Sequence, residues 1–431
     1  MSPSTDPLAL HAPTATKAHD MTPPSSGTLR IKLAIILTYM LFGALLNSVG
    51  AVNLLVVQTL GVARADAALL DAWKDLPIAI TSFLVASLLP RLGLRYAMAL
   101  ALAAVALACG VMPRLSAFWA FKLLFATVGV GFALVKVSAY SMIGLVTHDR
   151  RGHARFTNLL EGLFMVGVLG GYLLFGQAAQ QPGSGWLNVY PLLAALAGAA
   201  CLLVLVSPLD ERAMQAPGSR LKDELLAMAP LLKLGLVTVF LLSAFLYVLI
   251  EQGLSTWLPS FNNEVLHLPT AMSVGLAVIM PASTALGRLL SAAVIGRLGW
   301  FAVVMGCLVG IAALILLALP LSRAATPLPA DAGWLHAPLA AYLLPATGLL
   351  LAPIYPAINS AMLSALPQHR HAAMTGLIVV FSALGGTLGS FVTGRLFVAF
   401  DGATAFALLL VPVAALALAL AGMRRRLSDH A

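Results

Sequence analysis

The sequence predicts an all-α membrane protein with twelve transmembrane helices in two pseudo-repeats of six helices each. Hydrophobic residues make up 60% of the 431 residues and charged residues only 10%, whereas soluble domains average about 25% charged residues. Apolar runs of about 18 residues or more recur along the whole chain, and each is long enough to cross a bilayer as a helix. The alternating ten-residue segments of a transmembrane β-barrel are missing from the sequence.

Twelve apolar runs can be delimited, and each must form a helix because lipid cannot satisfy open backbone groups. The runs cover 32–59, 70–90, 95–112, 117–146, 157–179, 190–207, 235–260, 271–296, 301–321, 337–364, 372–399 and 402–422. They divide the chain into a tail at 1–29, an N-terminal six-helix bundle at 30–207, a linker at 208–230, a C-terminal six-helix bundle at 231–423 and a basic tail at 424–431. The first tail lacks the basic start and apolar core of a signal peptide, and its Pro, Ser and Thr content predicts disorder.

The basic residues predict the orientation of the chain in the membrane. With the N-terminus in the cytoplasm, the inner segments hold Lys17, Arg30, Lys32, Arg91, Arg95, Arg150, Arg151, Arg155, Arg212, Arg220, Lys222, Lys233, Arg297, Arg370, Arg424, Arg425 and Arg426, and the outer loops hold Arg64, Arg114 and Arg323. This asymmetry follows the positive-inside rule, so both termini are expected in the cytoplasm and the protein in the cell inner membrane. The net charge of +9 therefore reflects topology, and no nucleic-acid partner is expected.

Two sequence echoes indicate an internal duplication. Arg-Leu-Gly recurs at 91–93 and 297–299, each time at the predicted inner end of the second helix of a half. The segment "GHARFTNLLEGLFMVGVLGG" (152–171) also corresponds to "RHAAMTGLIVVFSALGG" (370–386), on the fifth helix of each half. Small residues are common wherever membrane helices pack, but two echoes in matching places favour duplication.

Two six-helix halves with basic inner loops and a cytoplasmic linker resemble the major facilitator superfamily. Within it, the sequence resembles the fucose:proton symporter family in five places. These are "LFGALLN" (41–47), "GHAR" (152–155), "YVLIEQGLSTWL" (247–258), "LGRLLSAAVIGRL" (286–298) and "IYPAINS" (354–360). The resemblance implies a substrate site near the bilayer midplane and access that alternates as the halves rock.

The departures from that family bear on its chemistry. The resemblance implies an Asp in the first helix and a Glu in the fourth that bind proton and sugar, but the matched positions hold Gly50 and Lys136. The acid of the superfamily's inner-loop motif is also missing, and only "RLGLR" (91–95) remains. Coupling as in the fucose transporter is therefore not expected, and Lys136 favours an acidic substrate such as a sugar acid or another carboxylate.

Charged residues inside the apolar runs supply the other site candidates, because each costs about 2.5–3.5 kcal/mol at the centre of a membrane helix unless it pairs or faces water. Lys136 and Glu251 lie too deep to snorkel, so both are expected to face an aqueous cavity. Asp71, Lys74 and Asp75 either cap an outer helix end or face that cavity. Glu161 either pairs with an arginine of the inner loop or takes part in proton coupling, and Arg288 makes either a structural or a gating contact.

Three groups of residues follow from these patterns. The predicted substrate-binding residues are Asn47, Lys74, Lys136, Tyr140, Glu251, Gln252, Trp257, Tyr355 and Asn359. The predicted proton-coupling residues are Asp75, Glu161 and Glu251, and the predicted gating residues are Arg91, Arg95, Arg288 and Arg297. Tyr355 and Asn359 are equally compatible with helix–helix contacts. Because adjacent helical residues point in different directions, either Glu251 or Gln252 is expected to contact a neighbouring helix.

The carboxylates inside the apolar runs suggest a mechanism for proton coupling. Burial favours the protonated form of a carboxylate, and a nearby ammonium group favours the ionised form. If Lys136 approaches Glu251 or Asp75 in only one conformation, that carboxylate takes up a proton on one side of the membrane and releases it on the other. Lys136 is alternatively a direct ligand of an anionic substrate.

Three functions are compatible with the sequence. Proton-coupled symport of a sugar, sugar acid or related carboxylate is favoured by the family resemblance. Proton-driven efflux of drugs or metabolites is the alternative, although "VGVLGGYLLFG" lacks the proline of the exporters' fifth-helix motif. A non-transporting membrane protein, such as a sensor or an assembly partner, is the third. No enzymatic activity, cofactor or metal is expected, since catalytic groupings and phosphate-binding loops are missing and the three cysteines are scattered. The expected partners are a small-molecule substrate, a proton and the lipid bilayer, with the protein a monomer.

Overall fold

The computed structural model describes residues 26–115, 117–147, 150–208, 228, 230–329, 332–364, 366 and 371–428. Within these ranges the chain forms helices and short connections, without a strand. The α-helices are α1 (Ser26–Asn47), α2 (Val49–Leu60), α3 (Arg64–Ala67), α4 (Leu69–Leu92), α5 (Leu94–Val111), α6 (Phe118–Val146), α7 (Arg150–Ala178), α8 (Val189–Val206), α9 (Gly235–Glu264), α10 (Thr270–Leu276), α11 (Ile279–Leu298), α12 (Trp300–Arg323), α13 (Ala340–Leu351), α14 (Ile354–Ser364), α15 (His371–Ala399), α16 (Gly402–Leu408) and α17 (Leu410–Ser428).

Eleven segments of the described chain are long and apolar enough to cross a membrane. They confirm an all-helical membrane protein and coincide with eleven of the twelve predicted runs. The remaining run, 70–90, forms α4, a helix of 24 residues that carries three charged side chains in its first two turns. The predicted tail at 1–29 and linker at 208–230 lie almost wholly outside the described residues, and α17 extends through residues 424–428 of the predicted basic tail.

Several predicted spans are two helices in succession. The first span is interrupted at Ser48, where the Ser48 hydroxyl donates a hydrogen bond to the Leu45 carbonyl at 2.8 Å. One residue earlier, the Asn47 amide donates to the Gly43 carbonyl at 3.0 Å. Side chains that bond nearby carbonyls in this way compete with the helical ladder. Between α13 and α14 the interruption falls at Pro353, which has no backbone N–H to donate.

The two Arg-Leu-Gly echoes adopt the same local structure. Gly93 ends α4 and precedes α5 with φ 75° and ψ 151°, and Gly299 ends α11 and precedes α12 with φ 77° and ψ 151°. Positive φ of this size favours glycine, because a side chain would clash with the backbone. Both echoes therefore encode the same sharp connection between two helices.

Buried apolar side chains form two clusters. The first draws on residues between Ile31 and Val204 with Val274 added, and the second on residues between Met228 and Met423 with a few side chains from the first half, including Val168 and Tyr172. Glycines allow close helix contacts inside each cluster. A Cβ on Gly167 of α7 would lie 2.1 Å from the Met40 carbonyl oxygen of α1, and one on Gly389 of α15 would lie 2.3 Å from the Leu249 carbonyl oxygen of α9.

The two groups of helices touch each other along α4 and α15, from Ala68 and Gly394 to Phe83 and Gly376, and polar side chains join them at one end. We call this the far end; the opposite, basic end carries Arg95, Arg155 and Arg297. At the far end the Gln58 amide donates to the Asn263 side-chain oxygen at 2.8 Å, and the Thr270 hydroxyl donates to Gln58 at 3.0 Å. Arg64 forms an ion pair with Glu264 at 2.9 Å. These contacts close the far end over the region where the charged residues meet.

Candidate functional site

A polar cavity of about 270 Å³ lies between the two groups of helices. It is lined by Tyr39, Asn47, Phe132, Lys136, Glu161, Phe164, Met165, Val168, Tyr172, Glu251, Gln252, Ser255, Met280, Pro281, Thr284 and Arg288. The lining comes from α1, α6 and α7 on one side and from α9 and α11 on the other. Four predicted substrate-binding residues therefore line one cavity, namely Asn47, Lys136, Glu251 and Gln252.

Two cationic side chains face this cavity from opposite groups of helices. Lys136 of α6 and Arg288 of α11 are both exposed. The Lys136 ammonium lies 5.8 Å from the centre of the Phe132 ring, a distance at which a cation–π attraction operates. Within the described part of the chain, neither cation has a carboxylate within ion-pair distance. The structure thus does not bring Lys136 into contact with Glu251 or Asp75, although such contact was one of the predicted arrangements.

Each carboxylate of the cavity accepts a hydrogen bond from a tyrosine. The Tyr140 hydroxyl of α6 donates to Glu161 of α7, and the Tyr247 hydroxyl donates at 3.0 Å to Glu251, one turn further along α9. The positive charge of Arg288 also acts on Glu251. Tyr140 was predicted to line the cavity itself, whereas its role in the structure is to hold Glu161.

Glu251 and Gln252 both line the cavity, and Gln252 also contacts a neighbouring helix, because a Cβ on Gly386 of α15 would lie 3.3 Å from its Cγ. A second, smaller chamber of about 30 Å³ lies on the adjacent side of α9 and is lined by Asn47, Tyr172, Gln252 and Ser255 among others. Polar cavities therefore lie on two adjacent sides of α9. The Ser255 hydroxyl donates to the Gln252 side-chain oxygen at 3.3 Å and orients that amide.

The small chamber borders a buried group of charges on α4, which we call the α4 charge cluster: Asp71, Lys74 and Asp75. The Lys74 ammonium lies 3.0 Å from Asp71 Oδ1 and 3.5 Å from Asp75 Oδ1. Thr256 of α9 donates a hydrogen bond to Asp71 Oδ2 at 2.8 Å. Asp71 is fully buried and Lys74 nearly so, so the structure excludes the interpretation that these residues cap an exposed helix end.

Three predicted substrate-binding residues are not part of the cavity lining. Trp257 is 1% exposed, its indole donates to the Ser390 carbonyl at 2.9 Å, and it packs on Phe397. Tyr355 stacks on Tyr247 with ring centres 5.4 Å apart. The side-chain oxygen of Asn359 is buried and has no hydrogen-bond donor among the described residues.

The predicted gating arginines occupy different places. Arg95 donates to the Ser207 carbonyl at 3.3 Å and so joins the start of α5 to the end of α8. Arg297 is exposed in the last turn of α11. The side chain of Arg91 lies outside the described residues. Arg288 lines the cavity, so its guanidinium group faces that space.

Sequence reasoning missed several residues of the site. Tyr39, Phe132, Phe164 and Tyr172 line the cavity, and aromatic residues inside apolar runs carry no signal that separates a cavity wall from a lipid face. Asp71 was left open between a helix cap and a cavity residue, although its spacing of three from Lys74 is the spacing at which helical side chains meet. Thr256 bonds Asp71 across 185 residues of sequence, and no local pattern predicts such a contact.

Comparison with known proteins identifies the family. Residues 33–390 match the family described as Major Facilitator Superfamily. The chain belongs to this superfamily. It is accordingly a membrane transporter and not an enzyme, and the predicted resemblance to the superfamily is confirmed. A search of curated protein sequences found no match.

Solved structures share this fold at low identity. A point mutant of the nucleoside transporter NupG has a TM-score of 0.75 at 16% identity over 92% of this chain and 99% of its own. A D-xylose-proton symporter has a TM-score of 0.71 at 13% identity over 92% of this chain and 97% of its own. A point mutant of the E. coli fucose:proton symporter FucP has a TM-score of 0.57 at 15% identity over 92% of this chain and 99% of its own.

Proposed function

We propose that this chain is a secondary active symporter that moves a small polar metabolite with a carboxylate group, such as a sugar acid or a related carboxylate, together with protons. It works by alternating access in the cell inner membrane, as a monomer with twelve spans in two six-helix repeats and both termini in the cytoplasm. The bundles span 30–207 and 231–423, joined by the linker at 208–230.

The observation that carries this proposal is the pair of cavity cations that have no carboxylate partner among the described residues. Lys136 and Arg288 come from opposite groups of helices, and both are exposed to the same space. An ammonium or guanidinium group placed this deep is costly unless it meets water or an anion. Guanidinium binds carboxylate in a planar, two-bonded geometry, and lysine adds a point charge. A substrate carboxylate that contacts both would join the two groups of helices.

The remaining lining suits the polar body of such a molecule. Asn47, Gln252, Ser255 and Thr284 offer hydroxyl and amide groups, and Tyr39 and Phe132 offer ring surfaces. The volume of about 270 Å³ lies just below the range of about 300–1,000 Å³ typical of small-molecule sites. This lining favours a compact hydroxylated metabolite over the large hydrophobic substrates of drug efflux. The structural neighbours include transporters of nucleosides, D-xylose and fucose, which supports a small polar substrate.

Alternating access is supported by the asymmetry between the two ends. The far end is held by the Gln58–Asn263 hydrogen bond and the Arg64–Glu264 ion pair, whereas Lys136, Glu161 and Arg288 remain exposed on the basic side. A transporter whose site is open to one side must rock its halves to reach the other. We therefore interpret this conformation as inward-facing.

The test is a thermal-shift screen of the purified protein against sugars, sugar acids, amino acids and small carboxylates at two pH values. A ligand present at 100 times its Kd is expected to stabilise the protein by about 2.7 kcal/mol through mass action. The proposal predicts hits among hydroxylated carboxylates that disappear in Lys136→Ala. Glu251→Gln should still bind but lose proton-coupled uptake into proteoliposomes.

Lys122→Ala is the matched control for Lys136→Ala. Lys122 lies on the same helix and its ammonium also approaches an aromatic ring, that of Phe118, at 4.8 Å, but it does not line the cavity. Lys122→Ala should be stabilised by every ligand that stabilises the parent protein. Stabilisation by hydrophobic cations alone would point to efflux, and wild-type uptake and pH dependence in both Lys136→Ala and Glu251→Gln would refute the proposed mechanism.

A further inference from the structure

The α4 charge cluster carries one more negative than positive charge in a buried place. Asp71 uses both carboxylate oxygens, one for Lys74 and one for the Thr256 hydroxyl. Asp75 is held less firmly, because its oxygen lies 3.5 Å from the Lys74 ammonium and its side chain is 15% exposed. Asp75 is therefore the carboxylate of the cluster that exchanges protons with least disturbance to its partners.

The cluster lies where the two groups of helices meet. Thr256 of α9 reaches Asp71 from the opposite group. Gly386 of α15, also from that group, lies so close to Asp75 that a Cβ there would be 2.9 Å from Oδ2. Any rocking that separates α4 from α9 and α15 removes the Thr256 hydroxyl from Asp71 and uncovers Asp75. The environment of these charges thus changes with the conformation of the transporter.

Few other titratable groups of the described chain face the cluster. Tyr172 of α7 lines the small chamber beside Asp71 and Lys74, and the charge of Lys74 acts on Glu251 of α9. From α1 comes the Leu46 carbonyl oxygen, 3.4 Å from the Lys74 ammonium. Among the residues that the structure describes, α6 and α15 contribute the glycines Gly129 and Gly386 at these contacts and no charged side chain.

Lys74 takes the position that a bound metal cation would occupy. Its ammonium lies 3.0 Å from Asp71, 3.4 Å from the Leu46 carbonyl and 3.5 Å from Asp75, and carboxylate and carbonyl oxygens are the ligands that hard cations select. A covalently attached ammonium fills this oxygen cage permanently. A free sodium ion would have to displace it against charge repulsion.

We propose that Asp75 is a second proton acceptor of the coupling step, besides Glu251, and that the tethered Lys74 ammonium excludes sodium from the same place. The inference rests on the proposed transport function. When the far end opens, a proton passes from external water to a carboxylate oxygen of Asp75 and an O–H bond forms. When the cavity opens at the basic end, that bond breaks and the proton leaves through the small chamber to water. Asp71 and Thr256 are positioning residues that hold Lys74 against Asp75.

Protonation of Asp75 brings the net charge of the cluster from minus one to zero. Burying a neutral group of this kind between α4, α9 and α15 costs less than burying a charged one. Acid is therefore expected to favour the conformation with the closed far end. The proton then promotes the movement that carries the substrate inward.

The test measures the far-end distance without any substrate. Spin labels are attached to Ala63→Cys and His267→Cys, two exposed positions on opposite sides of the far-end contact, after replacement of Cys109, Cys201 and Cys307 by Ala. Between about pH 8 and about pH 5, the ratio of short to long distances should rise about fivefold or more. Asp75→Asn should show mainly the short distance at every pH, and replacing sodium by choline should leave the distribution of distances unchanged.

Asp66→Asn is the matched control, because Asp66 is an exposed acid on α3 just before α4. Its pH response should equal that of the parent protein. A parent protein without a pH response, a full response in Asp75→Asn, or a shift caused by sodium would each overturn the proposal. If Asp75→Asn does not fold, the pH responses of Asp75→Ser and of the parent protein still test the proposal. Failure of the substrate screen, by contrast, would leave these distances unchanged.

Discussion

At the scale of single residues, the cavity combines exposed cations with carboxylates held by tyrosines. The Tyr247 hydroxyl fixes Glu251, and Tyr355 supports the Tyr247 ring from behind. Arg288 faces the same space without a carboxylate partner at ion-pair distance among the described residues. Under the proposed function, its planar guanidinium group meets a substrate carboxylate through two parallel hydrogen bonds.

Arg288→Gln should weaken binding of the carboxylate ligand by about tenfold or more, because a hydrogen bond to a charged group contributes about 1.5–3 kcal/mol. The affinity of Arg288→Lys should lie between those of the parent protein and Arg288→Gln, because lysine keeps the positive charge but lacks the planar guanidinium group. Isothermal titration of the purified variants gives these affinities. Arg323→Gln, at the far end of α12, is the control and should bind as the parent does. Equal affinities in all four proteins would remove Arg288 from the site.

The sequence predicted the charged residues of the cavity better than the aromatic ones. Lys136 and Glu251 could be recognised because a charge deep in an apolar run is costly and needs water or a partner. Trp257 could not be placed in the same way, because an indole packs equally well in a cavity wall or a core. Its partners, Ser390 and Phe397, lie more than 130 residues away and decide its position.

At the scale of helices, the bundle depends on glycines at close crossings. Gly385 and Gly389 of α15 face the backbone of α9, where a Cβ would lie 2.4 Å from the Phe245 carbonyl oxygen and 2.3 Å from that of Leu249. Small residues at such positions let helix backbones approach in a membrane, where no hydrophobic drive assists packing. These same helices carry Glu251 and Gly386, so the crossing also fixes the site.

Gly389→Ala should destabilise the protein by about 1–3 kcal/mol, because overpacking forces the two backbones apart. Thermal unfolding of the detergent-solubilised protein measures the loss of stability. It is followed by the fluorescence of a dye that does not react with thiols. Gly170→Ala is the matched control: Gly170 lies within α7 and a Cβ there meets open space. That variant should be as stable as the parent or slightly more so. Equal unfolding temperatures for Gly389→Ala and the parent would contradict this account of the crossing.

Helix positions followed from the sequence, whereas helix breaks did not. Long apolar runs identify spans by length alone, and the eleven spans found agree with them. The interruption at Ser48 depends on side-chain hydrogen bonds to Leu45 and Gly43, which compete only weakly with a helix. Gly50, just beyond the break, faces the Thr256 backbone of the other helix group. Such a local bend is settled by tertiary packing and not by composition.

At the scale of the whole molecule, the far end is held shut by a few polar contacts. The Arg64–Glu264 ion pair joins two side chains that are 41% and 26% exposed, so it contributes at most about 1 kcal/mol. The Gln58, Asn263 and Thr270 hydrogen bonds are also exposed. These polar contacts can be exchanged at little cost, as the proposed alternating access requires. The same sequence must be compatible with both the closed and the open far end, so no pattern in it predicts at which end the two groups of helices are in contact.

Arg64→Glu should open the far end more often, because two carboxylates then face each other. Asn47→Cys in the cavity, in a background without native cysteines, should then react with an external impermeant maleimide up to about fivefold faster, the factor that corresponds to about 1 kcal/mol. Arg64→Glu combined with Glu264→Arg should restore the parent rate. An unchanged rate in the single variant, or no recovery in the double one, would show that the ion pair does not control this end.

The joined side chains at the far end form a composite surface patch. Gln58 belongs to one group of helices, and Asn263 and Thr270 belong to the other. Because opening would pull these three apart, a nanobody raised against the assembled patch would bind a single conformer. Added to the purified carrier, such a reagent would both lock the protein and report, molecule by molecule, how often it visits that conformation.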